Sequence, residues 1–391
     1  MIEINENTEV VIKTFHGLEE VLAKECEMLG ATNVQPKIRA VSCNADLELI
    51  YKLNYCCRTA LRVLIPIHQF ECTFENDLYE GCHHFEWTNI FDVKNTFAIS
   101  ATLVNSHLTH TQYASLKAKD GIVDYFRKKL NSRPDVDPDK PDILIQIHIS
   151  HNKCTIYIDS SNTILYKRGW RLEQHKAPLN EVLAAGILHL AEYSGQTPLL
   201  DFMCGSGTIA IEALMMAKQI PAGYYRNDFG FMKWNNYDKA LWAKVVEEAN
   251  ARIQKAAQPV YASDINFYAI DAALKNAYDA NLDDQIIIEK KDFRELSKPH
   301  DSGIIVTNPP YNIRIEEEEL IALYKDVGNT LKRNFSGWKA FILAGDLHAA
   351  KFIGLKPSRK QIVFNGPIEC RLLTFNLFEG KKYQKKPEPE V

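Results

Sequence analysis

From Leu179 onward, short segments that are apolar on both faces alternate with helical segments, and this alternation constrains the fold more than any other feature of the chain. Strands that are buried on both faces belong to largely parallel sheets covered by helices on each side. The last two strands, predicted at 361–364 and 371–378, are separated only by residues 365–370. A parallel crossover needs about a dozen residues or more, so this final pair must be antiparallel. The other strands of this α/β domain are predicted at 197–202, 259–263, 285–289, 303–307 and 339–344.

The N-terminal half follows a different pattern, which predicts a smaller α+β region. Residues 142–150 and 153–160 alternate apolar and polar side chains, and His151-Asn152 between them is typical of a hairpin turn. A loop with three prolines, 131–141, separates this pair from a helix predicted at 113–130. Further upstream, strands are predicted at 9–14, 34–42 and 62–70, and helices at 18–29 and 46–55.

Length and composition limit the class of protein. At 391 residues the chain is too long for one hydrophobic core, so about two or three domains are expected. Its apolar runs are far shorter than the roughly 20 residues of a membrane-spanning helix, and the first residues lack a secretory signal, so a cytoplasmic protein is expected. The nine cysteines include no Cys-x-x-Cys pair, which favours reduced core thiols and no metal site.

Basic residues cluster in the predicted helix and after the following strands, although the net charge of the chain is −4. A protein that binds nucleic acid through its overall charge is therefore excluded, but a local basic patch is not. A run of this kind is more often the solvated face of a helix than a binding surface. The residues concerned include Lys117, Lys119, Arg127 and Lys128, followed by Lys167, Arg168 and Arg171.

A glycine-rich turn, Asp201-Phe-Met-Cys-Gly-Ser-Gly-Thr208, follows the first strand of the α/β domain and opens a helix. Glycines at 205 and 207 let the backbone bend tightly and approach a ligand, and the helix N-terminus offers free N–H groups to an anion. The turn is not a phosphate-binding P-loop, because no Lys-Ser or Lys-Thr follows, and it lacks the third glycine of the dinucleotide motif. It predicts a nucleotide-type site, with a plain tight turn as the alternative.

Two further carboxylates follow the next two strands. Asp264 lies at the end of strand 259–263, where it can accept both hydroxyls of a ribose that lies across the strand ends. Asp292 follows strand 285–289 and is placed to meet an adenine amino group. Each residue alone is more often a helix cap or a surface charge. Together with Asp201 they predict one ligand site at three consecutive strand ends.

The motif Asn308-Pro309-Pro310-Tyr311 follows strand 303–307 and indicates the reaction class. Two prolines fix φ and stiffen the turn, so the side chains at both ends are held in place. The Asn308 side-chain oxygen and a prolyl carbonyl can together accept both protons of a planar NH2 group, and Tyr311 can stack on the ring that carries it. A rigid turn without function is the alternative interpretation.

In order along the chain, these motifs resemble those of S-adenosylmethionine-dependent methyltransferases of the Rossmann-like class that act on exocyclic or amide nitrogens. Residues 166–171, 176–188, 110–120 and 223–234 are similar to segments of THUMP-domain RNA methyltransferases, in particular the bacterial 23S ribosomal RNA guanine-N2 methyltransferases. The resemblance implies a ferredoxin-like region at 1–60, a THUMP RNA-binding domain at 61–165 and a methyltransferase domain at 166–391. The sheet of this last domain is expected to be mostly parallel with an antiparallel last strand, and the tail 381–391 to be disordered.

The resemblance also implies residue roles, with S-adenosylmethionine as the cofactor, structured RNA as the partner and no metal. In the family's pattern Gly-x-Arg usually follows the catalytic motif, whereas here Asn312 replaces the glycine and Arg314 is kept. The residues implied in catalysis are Asn308, Pro309, Pro310 and Tyr311. Those implied in cofactor binding are Pro178, Asn180, Asp201, Cys204, Gly205, Ser206, Gly207, Thr208, Asp264, Asp292 and Asn308. Those implied in RNA binding are Lys117, Lys119, Arg127, Lys128, Lys167, Arg168, Arg171 and Arg314.

The resemblance implies methylation of a guanosine N2 in RNA, with 23S ribosomal RNA or a pre-ribosomal particle as substrate. A transfer-RNA guanosine is the nearest alternative. An adenine N6 or a protein glutamine amide also presents a planar NH2 to the same motif. A non-catalytic RNA-binding assembly factor would keep the fold without methyl transfer.

Overall fold

The computed structural model describes residues 4–171, 179–311 and 316–378. They form two compact units, the first within Met1–Arg168 and Pro221–Ala251, and the second within Gly169–Ile220 and Arg252–Val391. Across the described ranges, no helix combines the length and the apolar character that a membrane span requires.

The first unit is built on one seven-stranded sheet with the strand order β2-β3-β1-β4-β7-β6-β5. All neighbours pair antiparallel except β5 and β6, which are parallel. Strand β4 therefore joins the ferredoxin-like part of the sheet to the part predicted as THUMP. The elements are β1 (Glu9–Lys13), α1 (Glu19–Met28), β2 (Thr32–Lys37), β3 (Ala40–Asn44), α2 (Leu47–Cys56), β4 (Arg62–Glu71), α3 (Glu75–His83), β5 (Phe97–Val104), α4 (Thr111–Leu130), β6 (Ile143–Ser150) and β7 (Lys153–Asp159).

Local sequence explains the β6–β7 hairpin. Every second residue of β6 is buried, as expected for a strand with one face on the core. His151 and Asn152 adopt positive φ angles of 50° and 63°, which suits a two-residue turn between twisted strands. The hairpin turn predicted at this pair is thus present.

The predicted strand 34–42 is wrong, because the chain reverses within it. Residues 32–44 form the two antiparallel strands β2 and β3, and Arg39 between them has a φ of +57°. Strand β2 is almost entirely exposed and polar, so its residues carry no apolar alternation that marks a separate strand. Helix α3 and strand β5 were not predicted.

The second unit contains the α/β sheet with the order β10-β9-β8-β11-β12-β14-β13. The strands pair parallel from β10 to β12, whereas β14 runs antiparallel to both of its neighbours. The mostly parallel sheet with an antiparallel last strand is confirmed. Along the chain lie α5 (Glu181–Leu190), β8 (Leu199–Asp201), α6 (Thr208–Ala217), α7 (Lys239–Asn250, part of the first unit), β9 (Val260–Asp264), α8 (Phe267–Asp279), β10 (Ile286–Lys290), β11 (Ile304–Thr307), α9 (Glu317–Asn334), β12 (Lys339–Ala344), β13 (Arg359–Asn365) and β14 (Ile368–Asn376).

The segment between α6 and β9 belongs to the first unit, although in sequence it interrupts the second. Trp242 of α7 makes edge contacts with the rings of Tyr51 and Tyr55 of α2, at centroid distances of 5.8 and 5.4 Å. The Tyr55 hydroxyl donates a hydrogen bond to Asn250 Oδ1 at 2.9 Å. Aromatic side chains therefore hold this segment against α2 of the first unit. The alternation of strands and helices along the sequence alone would assign it to the α/β domain.

Candidate active site

Three carboxylates converge at the carboxyl ends of β8, β9 and β10, which are adjacent and parallel in the sheet. Asp201 ends β8, Asp264 ends β9, and Asp292 follows β10. All three line one cavity of about 770 Å³. The predicted convergence at one sheet edge is present, at the position where open α/β sheets bind ligands.

The glycine turn has a backbone that only glycine adopts easily. Gly205 and Gly207 have φ angles of +53° and +83°. A side chain on Gly207 would meet Ala273 of α8, with the two Cβ atoms 3.2 Å apart. A Cβ on Gly205 would meet no atom within 4 Å, because that residue borders the cavity. The turn therefore leaves an open cradle in which backbone can approach a ligand closely.

Asp264 holds the glycine turn in place. Its Oδ2 accepts a hydrogen bond from the Gly205 backbone N–H at 3.0 Å, and its Oδ1 accepts one from Asn266 N–H at 2.9 Å. Each carboxylate oxygen has a second lone pair, so both oxygens can still accept from a diol. The residue thus fits the ribose position predicted for it while it also fixes the turn.

Asp292 stands beside an apolar slot. Its Oδ1 accepts from Arg294 N–H at 2.9 Å, and its Oδ2 pairs with the Arg294 guanidinium at 2.8 Å. The neighbouring Phe293 ring stacks on Phe202 with centroids 5.4 Å apart, and Phe293 and Ile265 both line the cavity. Asp292 thus lies at a part of the cavity wall that also contains apolar side chains.

Asp201 is fully buried, and its environment changes its acidity. Burial raises the pKa of its carboxyl to about 7, and repulsion from the Asp264 carboxylate acts in the same direction. Its Oδ1 accepts a hydrogen bond from Met203 N–H at 3.3 Å. A positively charged ligand would stabilise the ionised form, so this side of the cavity favours a cation.

The interpretation of Arg171 as an RNA-binding residue is wrong, because the side chain is buried in the second unit. Its Nε pairs with Glu181 Oε1 at 2.6 Å, and its guanidinium donates to Ser206 Oγ and Thr208 Oγ1 at 2.9 and 2.7 Å. Burial raises the pKa of Glu181, and the Arg171 charge opposes that rise. Arg171 therefore fixes the Ser206 and Thr208 hydroxyls of the glycine turn through hydrogen bonds.

The motif predicted to be catalytic, Asn308-Pro309-Pro310-Tyr311, lines the same cavity from the end of β11. The Tyr311 hydroxyl donates a hydrogen bond to Asn308 Oδ1 at 2.5 Å. The Tyr311 ring packs on the backbone of Gly345, where a Cβ would come within 2.7 Å of ring atoms. Asn308 Oδ1 keeps a second lone pair, which can accept a proton of an amino group. Asn308 and Tyr311 are thus held by each other and by the stiff prolyl turn.

Sequence reasoning missed a further wall of the cavity. Asn365, Gly366 and Ile368, from the turn between β13 and β14, line it beside the catalytic motif. The sequence signal that could have identified them is Asn-Gly-Pro in the short link of the predicted antiparallel pair.

A contact to the glycine turn was also not predicted from sequence. The Asn276 side chain of α8 donates a hydrogen bond to the Ser206 carbonyl at 3.2 Å.

Some of the predicted basic surface is present on α4 of the first unit. Lys117, Lys119 and Arg127 border a cleft of about 670 Å³. Lys119 is paired with Asp120 at 2.8 Å and Arg127 with Asp124 at 3.0 Å, so their charges are partly neutralised. Lys128 and, beyond the helix, Lys167 are exposed, whereas Lys117 is half-buried.

Two more predicted roles do not agree with the structure. Arg168 is fully buried, and its guanidinium donates to the carbonyls of Leu165 and Arg58 at 3.1 and 2.5 Å, so it cannot contact RNA. Asn180 caps α5, where its Oδ1 accepts from Val182 N–H at 2.9 Å, and it does not line the cavity. Pro178, Asn312, Arg314 and the tail 381–391 lie outside the described residues.

Comparison with known proteins gives three matches in sequence order: the RlmL ferredoxin-like domain at residues 9–64, the THUMP domain at 72–159, and the RMKL-like methyltransferase domain at 168–374. A Synechocystis sp. protein that is named as an RNA methyltransferase is 35% identical over 93% of this chain and 95% of its own length. The ribosomal RNA large subunit methyltransferase K/L of Cellvibrio japonicus is 37% identical over 96% of this chain. This chain spans about half of that relative, 52% of its length.

A solved structure described as a methyltransferase complexed with S-adenosylhomocysteine superposes with a TM-score of 0.87 at 26% identity, over 97% of this chain and 100% of that one. The residues present here fit the corresponding methyl donor. The open glycine cradle, the diol-accepting Asp264 and the acidic wall at Asp201 suit an adenosine that carries a sulfonium charge. The chain belongs to the family of THUMP-domain RNA methyltransferases that use S-adenosylmethionine as the methyl donor.

Proposed function

We propose that this protein methylates the exocyclic N2 of a guanosine in RNA, and that 23S ribosomal RNA is its substrate. The observation that carries the proposal is the position of Asn308 and Pro309 in the cavity, directly beside the glycine turn and the three strand-end carboxylates. A planar amino group at this position would meet two acceptors, the Asn308 side-chain oxygen and the Pro309 carbonyl.

The chemistry of the amino group determines what these residues must do. The N2 lone pair of guanine is delocalised into the ring, so it is a poor nucleophile. S-adenosylmethionine supplies a methyl group that its sulfonium already activates. The chain must therefore hold the amino nitrogen in line and accept its protons, more than it must supply a strong base. Hydrogen bonds to Asn308 and the Pro309 carbonyl draw electron density toward nitrogen as positive charge develops there.

The cavity also sets a requirement on the RNA. A base inside a double helix cannot reach acceptors at the bottom of a cavity, so the target guanosine must be single-stranded or flipped out. Two lysines of α4, the half-buried Lys117 at the cleft and the exposed Lys128, are available to RNA phosphates, and contacts of this kind bind RNA with little sequence preference. Specificity for the base must then come from the cavity itself.

The choice of ribosomal RNA is supported by the name of the Cellvibrio japonicus relative, which refers to the large ribosomal subunit. A transfer-RNA guanosine would present the same amino group to the same acceptors and is the second candidate. An experiment that reads both the RNA and the nucleoside separates them.

The test uses isotope-labelled S-adenosylmethionine and total RNA from cells that lack this protein. After the reaction, large ribosomal RNA and transfer RNA are separated, and each is digested to nucleosides. We expect labelled N2-methylguanosine in the large ribosomal RNA only. Labelled N2-methylguanosine in transfer RNA would show that transfer RNA is the substrate in place of ribosomal RNA. Label in a different nucleoside would refute guanosine N2 as the methylated atom.

A further inference from the structure

The turn between β13 and β14 lines the same cavity as the motif 308–311. None of the residues predicted to bind the cofactor belongs to this turn. Asn365 and Ile368 are paired residues at the two ends of this turn. Gly366 between them has a φ of +60°, and a Cβ there would meet no atom within 4 Å. The tip is therefore a tight glycine turn that faces open space, and its residues line the cavity.

Asn365 is tied to the residues that would hold the reacting amino group. Its side-chain amide lies against the Tyr311 hydroxyl, and that same hydroxyl donates to Asn308 Oδ1. The Cys370 thiol of β14 also contacts the Tyr311 hydroxyl and the Asn365 backbone. Asn365 thus stands within a short chain of polar groups that starts at the amine acceptor Asn308.

We propose that Asn365 is a specificity-determining residue that binds the N1–H and O6 edge of the target guanine. The inference rests on the proposed function and deepens it, because it names the residue that reads the base. In guanine, N1–H is the neighbour of the reacting N2, and O6 follows it. A side-chain amide offers one acceptor and one donor side by side, so it can accept from N1–H and donate to O6.

The same amide matches adenine less well. An adenine that presents N6 to Asn308 has an unprotonated N1 next to it and a C–H group beyond. The Asn365 amide can then make one hydrogen bond instead of two. Loss of a two-point contact to a base edge lowers recognition by about ten- to a hundredfold.

The test measures single-turnover methyl transfer from labelled S-adenosylmethionine to large ribosomal RNA taken from cells that lack this protein. Three variants are compared with the wild type: Asn365→Ala, Asn365→Asp and the control Asn376→Asp. Asn376 ends the same strand β14 and is exposed outside the cavity, so the control makes the same chemical change away from the base. Cofactor affinity of each variant is measured by calorimetry.

We expect Asn365→Ala to lower the rate of N2-methylguanosine formation about ten- to a hundredfold, with wild-type affinity for S-adenosylmethionine. Asn365→Asp keeps the shape of the side chain but places a second oxygen against O6, so it should lose at least as much. Asn376→Asp should behave as the wild type.

A wild-type rate for Asn365→Asp would overturn the inference, because a carboxylate cannot donate the hydrogen bond that the inference assigns to guanine O6. Loss of cofactor binding in both Asn365 variants would also overturn it, since the role would then be support of the fold. If the wild type itself forms no N2-methylguanosine, the proposed function fails independently of Asn365.

Discussion

The hydroxyl of Tyr311 donates a hydrogen bond to Oδ1 of Asn308, at 2.5 Å. This contact uses one lone pair of the amide oxygen and fixes the direction of the other. The Tyr311 ring is in turn held by the backbone of Gly345. The proposed acceptor for the target amine is thus oriented before any substrate binds.

Removal of the acceptor should stop chemistry and spare cofactor binding. For Asn308→Ala we expect turnover to fall by about 10²–10³-fold, because an oriented acceptor for developing charge is lost. Affinity for S-adenosylmethionine, measured by calorimetry, should stay close to that of the wild type. Equal losses of turnover and cofactor affinity would contradict the role assigned to Asn308.

Removal of the Tyr311 hydroxyl tests the orientation separately. Tyr311→Phe keeps the ring and removes the hydroxyl that donates to Asn308 and also contacts Asn365 and Cys370. We therefore expect kcat to fall about fivefold to tenfold while the KM for RNA is unchanged. Tyr324→Phe is a matched control, because within the described part of the chain the buried Tyr324 hydroxyl has no hydrogen-bond partner. Identical kinetics for the two variants would refute the orienting role.

The buried carboxyl of Asp201 predicts a pH dependence of stability. Because burial raises its folded-state pKa to about 7, above the unfolded value, its contribution is most favourable below the unfolded pKa and is lost as pH rises toward 7. Asp201→Asn removes this titration. We therefore expect the stability of the variant relative to the wild type to rise by on the order of 2 kcal/mol between about pH 5.5 and about pH 8.5. Denaturant unfolding of both proteins without cofactor, over this pH range, measures the difference in their free energies of unfolding. A difference that does not change with pH would contradict a raised pKa for the Asp201 carboxyl.

Two lysines of α4, Lys117 and Lys128, predict a salt-dependent affinity for RNA. The double substitution Lys117→Glu and Lys128→Glu should weaken RNA binding and lower the slope of log affinity against log salt by roughly one to two. Lys239→Glu, at an exposed position at the start of α7, makes the same type of change away from α4 and is the control. Fluorescence anisotropy of labelled RNA over a series of salt concentrations gives both the affinity and its slope against salt. An unchanged slope in the double variant would remove these lysines from the RNA interface.

The parts of the site that follow strands could be predicted from sequence. Asp201 and Asp264 end β8 and β9, Asp292 follows β10, and neighbouring parallel strands end at one edge of a sheet. The sequence distance between them is then irrelevant, because the sheet itself brings them together. The same reasoning places Asn308 at the end of β11.

The parts that depend on packing could not be predicted. Arg171 and Arg168 have the charge of RNA-binding residues, and only the tertiary fold shows that Glu181 and buried carbonyls satisfy them. Asn365 ends β13, which pairs antiparallel with β14, and no local pattern tells which turn reaches the motif 308–311. Segment 221–251 joins the first unit through aromatic contacts that hydrophobic periodicity does not encode.

The most direct test of the central claim is the identity of the nucleoside that receives the methyl group. Large ribosomal RNA from cells that lack this protein is reacted with labelled S-adenosylmethionine and either the wild type or Asn308→Ala, then digested and analysed by mass spectrometry. We predict labelled N2-methylguanosine with the wild type and none with the variant. Labelled N6-methyladenosine, or equal amounts of N2-methylguanosine in both reactions, would contradict the account.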